Sequence, residues 1–453
     1  MSIRGTFFSR TGLTRKIAIL ATPLIFQQMS YTLLMVADTF FVSRISTQAL
    51  AATGLAGVLF FAIALLFRGP ANSSVVFVGR AHGAEDDEAV GKWVWRCLVV
   101  VAIMSAVSLA FPWIFRWGFP FLAPSDEPQV AILGANYLFI RGFELPFFLF
   151  SGVVWGFMIG RGDSRTPMIL AWVTVLLNII LDWLLVLGNL GFPRLEVTGA
   201  AIATVIAHAV NAGLSAFILW APAIRRRYET HRRRAIKKRD ILQVFRVGLP
   251  MGLGDFVEIS SFSVFFAIIG TISTGALAAN QIALQYMSIS FMVGIAFSMA
   301  TSSMVAQQLG AKRPDRAQGV GYRGTVLGMI AMGTIGFSFL IAPAALMSLF
   351  TSDPDVIKAG VQILRLMAIF QLFDAVAVVL SGALNGSGDT TFTMVARMVI
   401  GWVLFLPLVT LIVFVFDGGV RDAWIGALFY GTCLALVYLI RFRSGRWQKI
   451  KVL

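Results

Sequence analysis

Charge is scarce in this chain. Asp, Glu, Lys and Arg make up 13% of its 453 residues while 58% are hydrophobic, against roughly 25% charged and 45–50% apolar in soluble domains. A water-soluble fold has too little interior for that much apolar surface. Cysteine is nearly missing: Cys97 and Cys433 lie in separate apolar runs and in no CxxC or other metal-ligand spacing, which leaves them as small packing residues. No GxxxxGK[ST] phosphate loop occurs, so an ATP-driven pump in a single chain is excluded. HExxH helices, DDxxD-type clusters and nucleophile motifs are absent too, and the longest run of adjacent acids, Glu85 to Glu88, falls in a loop. An intramembrane transferase has no residues to work with, and energy for transport must come from an ion gradient.

What the chain does have is a series of long uncharged runs. A bilayer-crossing helix needs about 20 mostly apolar residues. Residues 17–37, 45–67, 97–115, 198–222, 324–350 and 398–416 contain no Asp, Glu, Lys or Arg, and Ile259 to Ala311 is uncharged over a length that must hold more than one helix. Further spans at 131–158, 168–190, 242–270, 357–386 and 423–440 complete twelve. The N-terminal cations Arg4, Arg10, Arg15 and Lys16 precede an apolar run too long for a typical signal peptide.

The net charge of +15 is unevenly placed. Both termini and the loops after even-numbered spans hold 28 of the 37 Lys and Arg, against 5 in the loops after odd-numbered spans. Because Lys and Arg are retained on the cytoplasmic side, both termini are expected in the cytoplasm and the protein in the cytoplasmic (inner) membrane. The basic run from Arg225 to Arg239 is read as a topology-fixing linker in preference to an anionic-lipid or nucleic-acid patch. It divides the chain into an N-lobe (residues 1–224), a basic cytoplasmic linker (225–240) and a C-lobe (241–453).

The halves repeat one another. Pro23 falls on Pro250, ALAATGLA from Ala49 on ALAANQIA from Ala276, and Gly83-Ala84 on Gly310-Ala311, all at an offset of 227; GFMIGRGDS from Gly156 falls on GALNGSGDT from Gly382 at 226. Six helices per repeat is an even number, so both halves enter from one side. The expected fold is an all-α membrane protein, twelve transmembrane helices in two six-helix lobes related by a pseudo-twofold axis along the membrane normal, with a central cleft.

These segments, together with Asn178-Ile-Ile-Leu-Asp182, GAAIAT from Gly199 and Gln371-Leu-Phe-Asp374-Ala375, resemble the multidrug and toxic compound extrusion (MATE) family, bacterial NorM-like and DinF-like branches, within the MOP flippase superfamily. The resemblance implies a two-lobe antiporter that expels amphipathic, often cationic compounds in exchange for Na+ or H+. It likens Asp38, Asn178, Asp182 and Thr204 to the family's N-lobe cation site, and Glu258 and Asp374 to the C-lobe acidic pair of NorM-like members. The chain carries both sets, so the coupling route is open between the lobes.

The same residues stand out on physical grounds. A carboxylate at mid-membrane costs about 2.5–3.5 kcal/mol on insertion scales unless paired, hydrated or protonated. Asn178 and Asp182 share a helix face at i and i+4, Thr204 can add a hydroxyl, and an all-oxygen set suits a proton or a hard monovalent cation. Gln371 and Asp374 share a face likewise, while a structural pairing of Glu258 with an arginine such as Arg68 or Arg365 is the competing reading. Positions equivalent to Asp38, Asp182, Glu258 and Asp374 in the other repeat are Phe265, Leu408, Tyr31 and Phe148, so the scaffold is duplicated while the acids are not. Gln27, Tyr31, Asp255, Gln281 and Gln371 are candidates for the substrate cleft, and Pro23 and Pro250 for hinges. His208 reads as a satisfied core residue, and Asp163 and Asp389 as turn and cap residues. No cofactor beyond the coupling ion and no nucleic-acid partner is expected; small organic substrates and membrane lipids are, with the chain a monomer. The nearest alternative is a lipid-linked oligosaccharide flippase of the same superfamily, which would line its cleft with cations.

Overall fold

The computed structural model describes residues 10–123, 127–230, 232, 234–450 and 452. Arg4, the side chain of Arg10, and His231 and Arg233 of the basic linker lie outside the described residues. Twelve helices are long and apolar enough to cross a membrane. The first six are α1 (Gly12–Ser43), α2 (Thr47–Gly83), α3 (Asp87–Phe121), α4 (Pro128–Gly160), α5 (Arg165–Leu185) and α6 (Glu196–Trp220). The second six are α7 (Lys238–Ile272), α8 (Thr274–Gly310), α9 (Pro314–Ile341), α10 (Pro354–Ser387), α11 (Thr390–Phe414) and α12 (Val420–Arg443). No strand occurs among the described residues, and the chain is an all-α, multi-pass membrane protein.

It packs as two compact units: Phe26–Gly252 forms one, and Leu253–Leu453 together with Met1–Ile25 forms the other. The seams fall just past Pro23 in α1 and Pro250 in α7, where each proline removes a helical hydrogen bond. The basic linker lies inside the first unit and is pinned there by ion pairs with the first turns of α3. Arg227 reaches Asp87 at 3.0 Å, Arg234 reaches Glu88 at 3.0 Å, and Asp240 meets Arg96 at 3.1 Å. Outside the spans, the hydrogen bond that Arg227 donates to Asp87 holds its guanidinium above the usual range.

The repeat is visible atom by atom at the start of α2 and α8. The Ser46 hydroxyl accepts the Ala49 amide at 3.0 Å, and the Ser273 hydroxyl accepts the Ala276 amide at 3.0 Å. Each serine is extended and caps one of the amide donors that a helix start leaves open. Ser46→Ala is expected to lower stability by about 1 kcal/mol, read as a drop in thermal midpoint of the purified protein.

The units differ where proline or a polar site intervenes. Within α2, Pro70 precedes a break at Ser73, whereas its repeat α8 has Phe297 at that place and runs unbroken for 37 residues. A short 3₁₀ turn, Gly142–Glu144, interrupts α4 ahead of Pro146, while α10 is continuous over 34 residues. In α11 the segment Val399–Phe405 widens into a π-helix just before Pro407. π-Helical turns of this kind concentrate at functional positions, and here the widened turn begins two residues after Arg397.

Candidate functional site

In the unit Phe26–Gly252, α1, α4, α5 and α6 bring together one polar cluster. Asn178, Asp182 and Thr204 are wholly buried. The Asn178 amide, in the orientation that satisfies its neighbours, donates to Asp38 Oδ1 at 2.9 Å and Asp182 Oδ2 at 3.2 Å. The other end of that amide lies 3.4 Å from Thr204 Oγ1. Asp182 Oδ1 has no hydrogen-bond partner, and neither carboxylate has an ion pair among the described residues. The four residues proposed from sequence therefore meet around one amide, with one carboxylate oxygen left over.

The nearest cation is already engaged. Arg141 in α4 bonds Glu144 at 2.7 Å and the Tyr137 hydroxyl at 3.0 Å, and its guanidinium lies over the Phe60 ring. His208 Nδ1 sits 3.0 Å from the Thr204 carbonyl and 3.4 Å from Glu144, which accords with a satisfied core histidine. Arg141 and Glu144 escape a search for lone acids, although Arg-x-x-Glu inside an apolar span is itself a legible pair at i and i+3. Of the other candidates in this unit, Gln27 is buried with Oε1 unpartnered, and Tyr31 lines a small cavity with Ser30, Trp155, Thr174 and Asn211.

In the second unit the acids have a different neighbour. Arg397 donates to Asp255 Oδ1 through Nη1 and to Ser381 Oγ at 3.4 Å through Nη2. Its Nε stands 3.2 Å from Glu258 Oε2, and the Tyr430 hydroxyl donates to Glu258 Oε1 at 3.3 Å. The structural arginine is therefore neither Arg68 nor Arg365. Read by sequence, Arg397 is a loop cation ahead of the run 398–416; the structure buries it inside α11, because the helix starts earlier, at Thr390. Asp374 is buried with Oδ2 unpartnered, and Gln371 accepts from Ser290 at 2.8 Å while its Nε2 is free. Gln371 and Asp374 share a face of α10 without a hydrogen bond between them. Gln281 is exposed.

The sequence profile of the MatE family matches this chain twice, over residues 23–184 and 250–411, the second match displaced from the first by 227 residues at both ends. The chain belongs to the MatE family. As a MatE protein it is a membrane transporter and not an enzyme. It is 28% identical to a probable multidrug resistance protein NorM of Thermotoga maritima over 96% of this chain and 93% of that one. It is likewise 28% identical to a probable multidrug resistance protein NorM of Pseudomonas putida, over 96% and 94%. A solved structure described as the outward-facing conformation of a multidrug resistance MATE family transporter of the MOP superfamily superposes with a TM-score of 0.87 over 100% of both chains, at 20% identity. A MOP superfamily transporter from Pyrococcus furiosus, described as having a binding pocket of reversed polarity, gives 0.84 over 97% of both, also at 20% identity. The MatE profile repeats at the spacing at which the Ser46 and Ser273 caps recur.

The remaining motifs of this MatE chain have structural work. Asp163 accepts from the Thr166 hydroxyl at 2.7 Å and from Arg161 at 3.0 Å. Burial acts to raise its pKa, and these bonds outweigh it to hold the carboxyl below its ordinary range. Asp389 takes a two-pronged contact from Arg441 at 2.7 and 3.2 Å. Both are loop anchors, as their position after a glycine suggests.

Proposed function

We propose that the protein is a cation-coupled antiporter, driven by Na+ or H+, that exports amphipathic and cationic organic compounds by alternating access. The observation that carries this reading is the pair Asp38 and Asp182, held by one amide and lacking an arginine. Two carboxylates so close and so poorly hydrated need positive charge between them. A proton or Na+ supplies it without fixing a side chain, and Asp182 Oδ1 and Thr204 Oγ1 are oxygen donors of the right type for Na+.

The relatives' description as multidrug resistance proteins supports the same cargo class. The acids also speak against the flippase alternative, whose cargo is anionic. The excess of Lys and Arg in alternate loops supports cytoplasmic termini in the inner membrane.

Coupling by the bound cation means that cation entry and cargo exit are linked through one equilibrium between conformations. Purified protein in liposomes is expected to move ethidium against its gradient when either a Na+ or a proton gradient is imposed alone, and the gradient that works names the ion. Ethidium movement indifferent to both gradients would rule out antiport.

A further inference from the structure

In the second unit two carboxylates contact one guanidinium, and a third carboxylate lies within electrostatic reach of it. Asp255 and Glu258 lie one turn apart on α7, Asp374 comes from α10, and Arg397 comes from α11 at the turn that opens into the π-helix. Asp374 is within electrostatic reach of both Glu258 and Arg397 and forms no ion pair itself among the described residues. Arg397 Nε has Glu258 at 3.2 Å but no aligned hydrogen bond. A guanidinium locked for structure alone normally closes a planar fork on one carboxylate; this one is spread over two acids and a serine, with one nitrogen short of a bond.

We propose that Arg397 is a tethered cation seated in the acid cluster of Asp255, Glu258 and Asp374, and that it restricts this cluster to cargo or coupling ions of one positive charge. Its charge offsets one of the three carboxylates, and its contacts hold Asp255 and Glu258 to the guanidinium. A monovalent cation meets the open Asp374 oxygen and shares the remaining charge with the guanidinium. A divalent or dicationic guest needs the place that Arg397 fills, and like-charge repulsion from a fixed guanidinium opposes it. The charge selectivity of export rests on the antiport reading above; the occupancy of the cluster by Arg397 does not.

The test uses the full chain in nanodiscs. Mn2+ binding is followed by the paramagnetic resonance of the free ion, since Mn2+ favours carboxylate oxygen. Arg397→Gln and Arg397→Met are made in parallel so that a folding defect in one leaves the other. Each is expected to gain one Mn2+ site at least about tenfold tighter than wild type, Arg397→Lys is expected not to, and adding Asp374→Asn is expected to erase the gain. Neutral variants that bind Mn2+ no better than wild type, or a gain that survives Asp374→Asn, overturn the proposal.

A second readout compares efflux of ethidium with that of propidium, which shares its ring system and carries one more positive charge. The ethidium preference of wild type is expected to shift about tenfold toward propidium in Arg397→Gln and to persist in Arg397→Lys. An unchanged ratio counts against the selectivity role, whereas wild-type protein that exports neither dye defeats the antiport reading and leaves the Mn2+ result to decide on Arg397.

Discussion

Asp182→Asn is expected to lower gradient-driven dye export in proteoliposomes by at least about 100-fold, a barrier of roughly 2.7 kcal/mol, without loss of folded protein. The side chain is completely buried, one oxygen accepts from Asn178 and the other accepts from nothing. An amide of the same shape keeps the first contact and cannot hold an exchangeable cation. No arginine is stranded by the change, because Arg141 is paired with Glu144. Removing a buried charge that lacks a partner relieves a desolvation cost, so the melting temperature is expected to stay level or rise. Export at the wild-type rate together with an unaltered ion dependence would remove Asp182 from the coupling machinery.

Gly386→Leu is expected to destroy the second unit, with the purified yield of monodisperse protein falling to background. On α10, Gly382 and Gly386 stand four residues apart, and a Cβ on either would run into the backbone of α8, at the carbonyls of Ser298 and Ser302 respectively. Small residues at this spacing let two membrane helices approach to backbone contact, where packing and not the hydrophobic effect holds them. Overpacking a core costs about 1–3 kcal/mol when side chains can move aside, and a backbone carbonyl in a helix moves far less. The first unit has the matching pair: Gly156 faces the Ser74 hydroxyl and Gly160 the Val75 carbonyl. Gly386→Leu protein with normal size-exclusion behaviour and thermal midpoint would show that α8 and α10 do not depend on this approach.

Much of this architecture is legible in the chain because its cause is local. Twelve spans follow from apolar runs longer than the bilayer is thick, and they recur where the sequence places them. The duplication is legible because the constraints that preserve it, a serine cap here and a glycine contact there, act on single positions. Asn178 and Asp182 were readable as partners from their spacing of four on one helix.

Arg397 was not readable. Its partner Asp255 is 142 residues away in sequence, and a cation at the rim of an apolar run looks the same whether it faces water or a buried carboxylate. The seams of the two units were equally hidden. Both lie inside continuous apolar helices, α1 and α7, where composition changes not at all and the basic linker nearby offers a more conspicuous boundary.

The amino-acid sequence by itself determined that this chain crosses a membrane twelve times, that it is built twice over, and that four acids lie where acids are costly, since each is a matter of transfer free energy summed over neighbours in the chain. Only the tertiary structure decided which acids have a cation for a neighbour. Asp38 and Asp182 share an amide and no cation, while Asp255 and Glu258 share Arg397. The physical reason is that the electrostatic state of a buried carboxylate depends on what lies within a few ångströms in space, and helices brought together from distant parts of the chain supply those neighbours.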